Sequence, residues 1–165
     1  MKENWITHAI GLPDYSVAYT NYGKTEIEKA NQKMPKPMEF KLDVIYHGTD
    51  TTVFHPMTKE EILEFKKKFF KKASIDIEKT FIVGVVARNQ MRKDLPRVMK
   101  IFKEFQKRRP DSMLYMHAKE NDVGGSLGEY ARVLNLELGK DWIFPGNFNE
   151  NTGYPAEALN MIYNV

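Results

Sequence analysis

Cysteine is absent from the 165-residue sequence. Its absence excludes a disulfide framework, a thiolate nucleophile and a cysteine-ligated zinc site, and it fits a cytoplasmic protein. Long apolar runs are also missing. No stretch approaches the roughly 20 residues that a membrane span needs, and the first residues lack the apolar segment of a signal peptide. The net charge of +3 is too small to indicate nucleic-acid binding. The remaining composition, 42% hydrophobic and 28% charged, is that of a folded globular protein.

Several familiar site motifs are missing as well. The sequence contains neither the G-x-x-x-x-G-K-[ST] phosphate loop nor the G-x-G-x-x-G dinucleotide fingerprint. His8, His47 and His55 do not have metal-ligand spacing with each other or with nearby carboxylates. No Ser/His/Asp set or carboxylate pair stands out, so the residues alone predict no metal site and no nucleophilic or paired-acid chemistry.

What is present is an alternation of short apolar strands and amphipathic helices. Strands are predicted near 15–19, 43–46, 81–87, 113–118 and 142–144, with helices between them. Thr58 and Glu61 form a capping-box pattern, and Pro155 opens a final helix. Strand, helix and strand in succession predict an α/β fold with a parallel sheet flanked by helices. The turn-rich segment 47–57 is predicted to link two structural units.

Details of the second unit follow from the same patterns. The continuous apolar run Phe81–Ala87 predicts a strand that is covered on both faces. Asp94 is predicted to cap the next helix. The helix after Ser126 is predicted to bury Tyr130 and Val133 and to stop at Gly139. The buried stripe of the preceding helix consists of large apolar side chains, namely Leu95, Val98, Met99, Phe102 and Phe105.

A cluster of cations follows the first strand of the second unit. Arg88, Arg92 and Lys93 stand between that strand and a helix N terminus, where backbone N–H groups and the positive end of the helix dipole favour anions. Ligands of open α/β sheets bind beyond the carboxyl ends of the strands. The position predicts a phosphate site; the alternative is that these are solvated loop residues.

Other candidates leave alternatives open. His117, near the end of the next strand, fits a hydrogen-bonded structural role better than a catalytic one. Gly124 and Gly125 fit a turn better than a ligand-contacting loop. The lysine-rich helix over 59–72 fits a solvated face, with contact to an anionic membrane surface as the alternative.

Four segments in order then resemble one family, the retaining GT-B glycosyltransferases of family 4, also called glycosyl transferase group 1. Val17-Ala-Tyr-Thr-Asn-Tyr-Gly-Lys24 resembles the segment that ends the N-terminal domain. Val44-Ile-Tyr-His-Gly-Thr-Asp50 and Phe54-His-Pro56 are similar to the interdomain motif. Val83-Gly-Val-Val-Ala-Arg88 with Lys93 resembles the v-G-R-x-x-x-x-K stretch of the donor domain, and Phe144-Pro-Gly146 resembles a later strand end.

The resemblance implies a Rossmann-like, partial GT-B fold and transfer of a sugar, with retention, from a nucleotide-diphosphate sugar to an unknown acceptor. It implies that Arg88 and Lys93 bind the donor diphosphate, with Asn147 and Phe148 near the nucleotide. It implies no metal and no cofactor besides the donor substrate, and no nucleic-acid partner. Peripheral membrane contact is not favoured.

Family members are about twice as long. They carry an acceptor domain that this chain lacks, and an E-x7-E motif soon after the helix that resembles 155–163, whereas this chain stops at Val165, before that position. We therefore expect a fragment: residues 1–46 as the tail of the N-terminal domain, 47–57 as the interdomain linker and 58–165 as a partial donor domain. Such a fragment is expected to transfer little or no sugar alone and to self-associate through exposed strand edges. The alternative function is a noncatalytic nucleotide-diphosphate-binding or assembly module.

Overall fold

The computed structural model describes Ala9, residues 12–145 and residues 153–165. The chain divides into two compact units, residues 1–50 and residues 51–165. The boundary lies inside the 47–57 segment that the turn residues mark out. Among the described residues, none of the helices has the length and apolarity needed to cross a membrane.

The first unit is built around a small parallel pair of strands. β1 (Ser16–Ala18) and β2 (Leu42–Val44) pair in register from Ser16–Leu42 to Ala18–Val44, and α1 (Asn21–Gln32) connects them. The Thr20 side chain accepts a 2.9 Å hydrogen bond from the Gly23 amide, so it caps α1. Strand, helix and strand therefore confirm the α/β pattern in this unit.

The second unit contains an open parallel sheet and its flanking helices. Along the chain, the elements are α2 (Lys59–Phe69), β3 (Phe81–Val86), α3 (Leu95–Arg108), β4 (Ser112–His117), β5 (Asn121–Asp122), β6 (Gly125–Ser126), α4 (Leu127–Val133), β7 (Trp142–Ile143) and α5 (Ala156–Tyr163). In the sheet, the strands lie in the order β3, β4, β7, with β4 parallel to both neighbours. β5 and β6 form an antiparallel hairpin.

The alternating side chains of β4 supply both halves of the core. Every residue of β4 is buried, as expected for a strand with helices on both faces. Leu114 and Met116 point to one face, where they pack with residues of α3 and α4. Met113 and Tyr115 point to the other face, where they pack with residues of α2 and α5. The sheet is thus the middle layer between two layers of helices.

β3 is covered on both faces, as predicted, since Val85 packs against the core on the side of α3 and α4, and Val86 against the core on the side of α2 and α5. Within the described residues it lies at the edge of the sheet, and Phe81 keeps 42% of its surface exposed. The ring of Phe81 is covered by the Arg109 guanidinium, 4.1 Å from the ring centroid. An apolar run predicts that the faces of a strand are buried. The number of strands paired with it depends on the order of the strands in the sheet.

The start of α3 differs from the prediction that the Asp94 side chain caps this helix. Asp94 takes a left-handed conformation (φ 47°, ψ 49°), and its carboxylate pairs with Arg97 at 2.8 Å instead of capping the helix. A 3-10 turn over Met91–Lys93 comes between β3 and α3. The predicted stripe is confirmed: Leu95, Val98, Met99, Phe102 and Phe105 all contribute to the core.

α4 is shorter than predicted. Ser126 caps it, accepting a 3.3 Å hydrogen bond from the Glu129 amide. The helix ends at Val133, and Asn135 then takes a left-handed conformation (φ 51°), which asparagine tolerates at a helix end. The predicted stop at Gly139 is therefore wrong. Tyr130 and Val133 are exposed rather than buried, because Leu127 and Ala131 are the residues that α4 turns towards the core.

Several lysines of the helix α2 form hydrogen bonds or ion pairs within the second unit. Thr58 and Glu61 form the predicted capping box. Lys66 donates to the Thr80 carbonyl oxygen at 2.9 Å, and partial burial lowers its pKa. Lys67 pairs with Glu78 at 2.7 Å, and Lys68 pairs with Glu64. Three lysines of this helix therefore have partners within the second unit, and contact with a membrane surface stays an open alternative.

Two asparagines, Asn160 within α5 and Asn164 directly after it, hold the segment that precedes α2. Asn164 accepts a 2.9 Å hydrogen bond from the Met57 amide and donates to the His55 carbonyl oxygen at 3.1 Å. Asn160, which is buried, accepts from the His55 amide at 3.2 Å. The extended backbone of residues 55–57 thus forms its hydrogen bonds with side chains, which fasten it to the second unit.

Candidate functional site

The loop after β3 carries the predicted anion-binding residues. Since β3, β4 and β7 are parallel, their carboxyl ends meet at one edge of the sheet, where ligands of α/β proteins bind. The Ala87 amide donates to the His117 carbonyl oxygen at 3.3 Å, which extends the pairing with β4 by one residue. Arg88 is the next residue, so its backbone is positioned by the end of the sheet.

The Arg88 side chain forms an ion pair with the β5–β6 hairpin. Its Nε atom lies 2.9 Å from Oδ2 of Asp122. The other carboxylate oxygen of Asp122 accepts a 2.8 Å hydrogen bond from the Val123 amide. The hydrogen bond from Arg88 is the main reason that the pKa of Asp122 lies below its usual value, so Asp122 is a carboxylate at neutral pH. Sequence reasoning did not identify Asp122 as part of the site.

Lys93 lies in the same loop as Arg88. It ends the 3-10 turn, and its amide donates to the Gln90 carbonyl oxygen at 2.9 Å. Arg88, Arg92 and Lys93 are all exposed, so the loop presents three cations beside the N terminus of α3. The structure places Arg88 and Lys93 in one short loop at the carboxyl edge of the sheet, and their role in holding a diphosphate stays a prediction.

Asn89 fastens this loop to the hairpin. Its side chain is fully buried, and its Nδ2 atom lies 2.8 Å from the Gly125 carbonyl oxygen, 3.2 Å from that of Glu120 and 3.3 Å from that of Lys119. Its own carbonyl oxygen accepts a 3.1 Å hydrogen bond from the Gly124 amide. The side chain of Asn89 therefore holds the segment that leaves β4 at a fixed distance from Arg88.

Gly124 is required for this close approach. A Cβ atom at this position would lie 2.2 Å from Oδ1 of Asn89 and 3.0 Å from two backbone atoms of the Asn89–Gln90 peptide. Oδ1 of Asn89 is buried and has no hydrogen-bond partner among the described residues, and the Gly124 Cα–H group points at it, as in a weak C–H···O contact. Sequence reasoning missed Asn89 too; the available signal was an asparagine two residues after the apolar run that ends at Ala87.

His117 is buried in an aromatic cluster and is not exposed at the carboxyl ends of the strands. Its Nδ1 atom lies 2.7 Å from the Tyr115 hydroxyl, and its ring packs edge-on against Tyr154 with centroids 4.7 Å apart. Burial lowers the pKa of His117 and raises the pKa values of Tyr115 and Tyr154. All three side chains are therefore held neutral at pH 7, which agrees with a structural role for His117.

A cavity of about 300 Å³ lies beside this cluster on the same face of the sheet. Aromatic residues make most of its lining, together with Lys71 and Lys72 at the end of α2; the rings include Phe69, Phe70, Tyr115, Phe144 and Tyr154. Asn147 and Phe148, predicted to lie near the nucleotide, fall outside the described residues. Within the described part of the chain, histidine and carboxylate side chains form no group of three or more that could hold a metal ion.

Comparison of the chain with models of known protein families, with curated proteins and with solved structures finds no match.

Proposed function

We propose that residues 51–165 form a Rossmann-like unit that binds the diphosphate of a nucleotide sugar, as the first half of a GT-B donor domain. The observation that carries the proposal is the position of Arg88. It is the first residue beyond the paired end of a parallel strand, and Asp122 orients its guanidinium group. Arginine recognises phosphate through two N–H groups at once, whereas Lys93 adds a point charge.

The proposed chemistry is electrostatic. In a complete donor site, Arg88 and Lys93 would stabilise the negative charge that develops on the leaving nucleoside diphosphate as the sugar–phosphate bond breaks. The N terminus of α3 adds its dipole at the same loop, since Asp94 pairs with Arg97 and does not occupy the capping position with its side chain. The ordered resemblance of four segments to family 4 glycosyltransferases supports the sugar nucleotide as the source of the diphosphate. We propose a cytoplasmic setting for this activity.

Calorimetric titration with uridine, adenosine and guanosine diphosphates tests the site. We expect the double variant Arg88→Ala/Lys93→Ala to lose at least about tenfold in affinity, since each charged hydrogen bond contributes on the order of 1.5 kcal/mol or more. Lys107→Ala/Arg108→Ala is the matched control, because it removes two exposed positive charges from the C-terminal end of α3. Equal affinity in the Arg88/Lys93 variant and the wild type would show that the anion binds elsewhere.

An assembly role for the first unit is the second candidate. Large apolar side chains of β1, of α1 and of the residues beside the two strands are exposed, namely Tyr15, Val17, Tyr19, Tyr22, Ile45 and Tyr46. Contiguous patches of exposed apolar side chains mark protein-interaction sites, and we propose that these side chains drive self-association. Light scattering after size exclusion tests this: Val17→Lys should shift the protein towards the monomer, and a wild-type monomer at high concentration would rule self-association out.

A further inference from the structure

The ion pair between Arg88 and Asp122 is fixed by its surroundings on the Asp122 side. The Asp122 side chain keeps 15% of its surface exposed, against 66% for Arg88. The Val123 amide holds the second oxygen of the carboxylate at 2.8 Å. The carboxylate is therefore a fixed group at a turn, and the longer, more exposed arginine side chain reaches to it.

The hairpin that carries Asp122 is itself fastened to the loop of Arg88. Two hydrogen bonds join them: the Gly124 amide donates to the Asn89 carbonyl oxygen at 3.1 Å, and the Asn89 side chain donates to the Gly125 carbonyl oxygen at 2.8 Å. Surface ion pairs between neighbouring residues of one helix lack such support and contribute little. Asp122 is instead held in place by residues next to its own partner, so the distance between the two charges is built into the fold.

We propose that Asp122 positions Arg88 through its Nε–H group and serves as its counterion, so that a phosphate ligand competes with the Asp122 carboxylate for the charge of the guanidinium group. The proposal rests on the anion site proposed above. Carboxylate and phosphate bind the same planar N–H fork of arginine. Without ligand, Asp122 keeps the fork at the carboxyl edge of the sheet. With ligand, the Asp122 charge opposes the bound anion and lowers its affinity.

Substituting Asp122 by asparagine separates these two effects. Asp122→Asn keeps an oxygen that can accept the Nε–H bond of Arg88 but removes the negative charge. Asp122→Ala removes both. We expect Asp122→Asn to raise the affinity for inorganic pyrophosphate by about three- to tenfold, the effect of deleting a unit charge roughly 6 Å from one or two ligand charges in water. Asp122→Ala should gain less, because the arginine is then unpositioned.

Asp111→Asn is the matched control. Asp111 pairs with Nε of Arg109 at 3.4 Å, directly before β4 and therefore at the amino end of the sheet. It changes the net charge by the same amount without touching the proposed site. We expect its affinity for pyrophosphate to equal that of the wild type. The gain in Asp122→Asn should also shrink as sodium chloride is raised from about 50 to 500 mM, because the repulsion is screened.

A spectroscopic signal of Arg88 tests positioning directly. The Nε–H resonance of Arg88 is assigned by its loss in Arg88→Lys; we expect it to move in Asp122→Asn and Asp122→Ala and, in the wild type, on saturation with pyrophosphate. Unchanged or weaker affinity in Asp122→Asn, with binding that still depends on Arg88 and Lys93, would overturn the counterion role and leave the anion site standing. Absence of pyrophosphate binding in the wild type and in Asp122→Asn at low salt would overturn both.

Discussion

Asn89 offers the strongest test of how the loop after β3 is held. We expect Asn89→Ala to lower the free energy of unfolding of the second unit by about 2–4 kcal/mol. The amide nitrogen has two N–H donors, and three backbone carbonyl oxygens share them. Two net hydrogen bonds contribute about 2 kcal/mol. The rest of the loss comes from the small cavity and from carbonyl groups left unpaired in a buried site.

Asn89→Asp should be more damaging than Asn89→Ala at pH 7. The substitution keeps the shape but replaces the N–H donors with a carboxylate surrounded by the carbonyl oxygens of Lys119, Glu120 and Gly125. A buried carboxylate without donors takes up a proton, since its charged form is disfavoured. The extra cost of Asn89→Asp should therefore decrease as the pH is lowered from 7 to 5.

Urea unfolding followed by Trp142 fluorescence measures these effects in the second unit. The chain has two tryptophans, so a Trp5→Phe background leaves Trp142, which is buried in the core of the second unit, as the reporter. Asn121→Ala is the matched control: it lies in the same hairpin, is exposed, and should change stability by less than about 0.5 kcal/mol. A loss in Asn89→Ala no larger than in Asn121→Ala would refute the reasoning.

Gly124, His117 and Asn164 form three further contacts of the second unit that substitutions or pH can test. Gly124→Ala should destabilise the second unit by about 1–3 kcal/mol through overpacking, whereas Gly84→Ala, whose Cβ would meet no described atom within 4 Å, should stabilise it by up to about 1 kcal/mol in urea unfolding. Because its folded pKa is lowered, His117 should remove stability as the pH falls below its unfolded value of about 6.5, by up to about 1.4 kcal/mol per pH unit. Asn164→Ala should speed hydrogen exchange of the Met57 amide at least about tenfold, because its acceptor is lost.

Each of these has a clear contrary outcome. If Gly124→Ala were as stable as Gly84→Ala, the close approach to Asn89 would be wrong. If His117→Gln lost stability between pH 7 and 5 as steeply as the wild type, another group would be responsible for the acid sensitivity. If the Met57 amide exchanged equally fast in Asn164→Ala and the wild type, the clamp by α5 would not protect it.

Local patterns predicted the elements well because their causes are local. Thr20, Thr58 and Ser126 cap helices through bonds to amides three residues ahead, a geometry that the sequence spacing contains. The stripe from Leu95 to Phe105 is buried because residues three and four apart share one face of a helix. The predicted cap at Asp94 is wrong because its carboxylate pairs with Arg97 instead. The predicted helix end at Gly139 is wrong because the chain leaves the helix earlier, where Asn135 takes a left-handed conformation.

The candidate site was predictable only in part. Arg88 and Lys93 stand out because they follow an apolar strand, and that position is visible along the chain. Asp122 lies 34 residues beyond Arg88, and no motif around either residue predicts that the two side chains form an ion pair. Asn89 is likewise defined by carbonyl groups that reach it from residues 119 to 125. Contacts between two loops depend on how the strands are ordered and aligned, which no short stretch of sequence records.

By itself, the sequence determined that this chain alternates strands and helices and that cations follow its first long apolar strand. Both features arise from residue type and short spacing. The tertiary structure alone decided that β3 lies at an edge, that Asn89 is buried, and that Arg88 meets Asp122. The physical reason is that charge and hydrophobicity belong to residues, whereas burial and pairing belong to the surroundings that the whole chain creates. The charge of the loop after β3 is set by both, through a cation that the sequence supplies and a carboxylate that the fold brings to it.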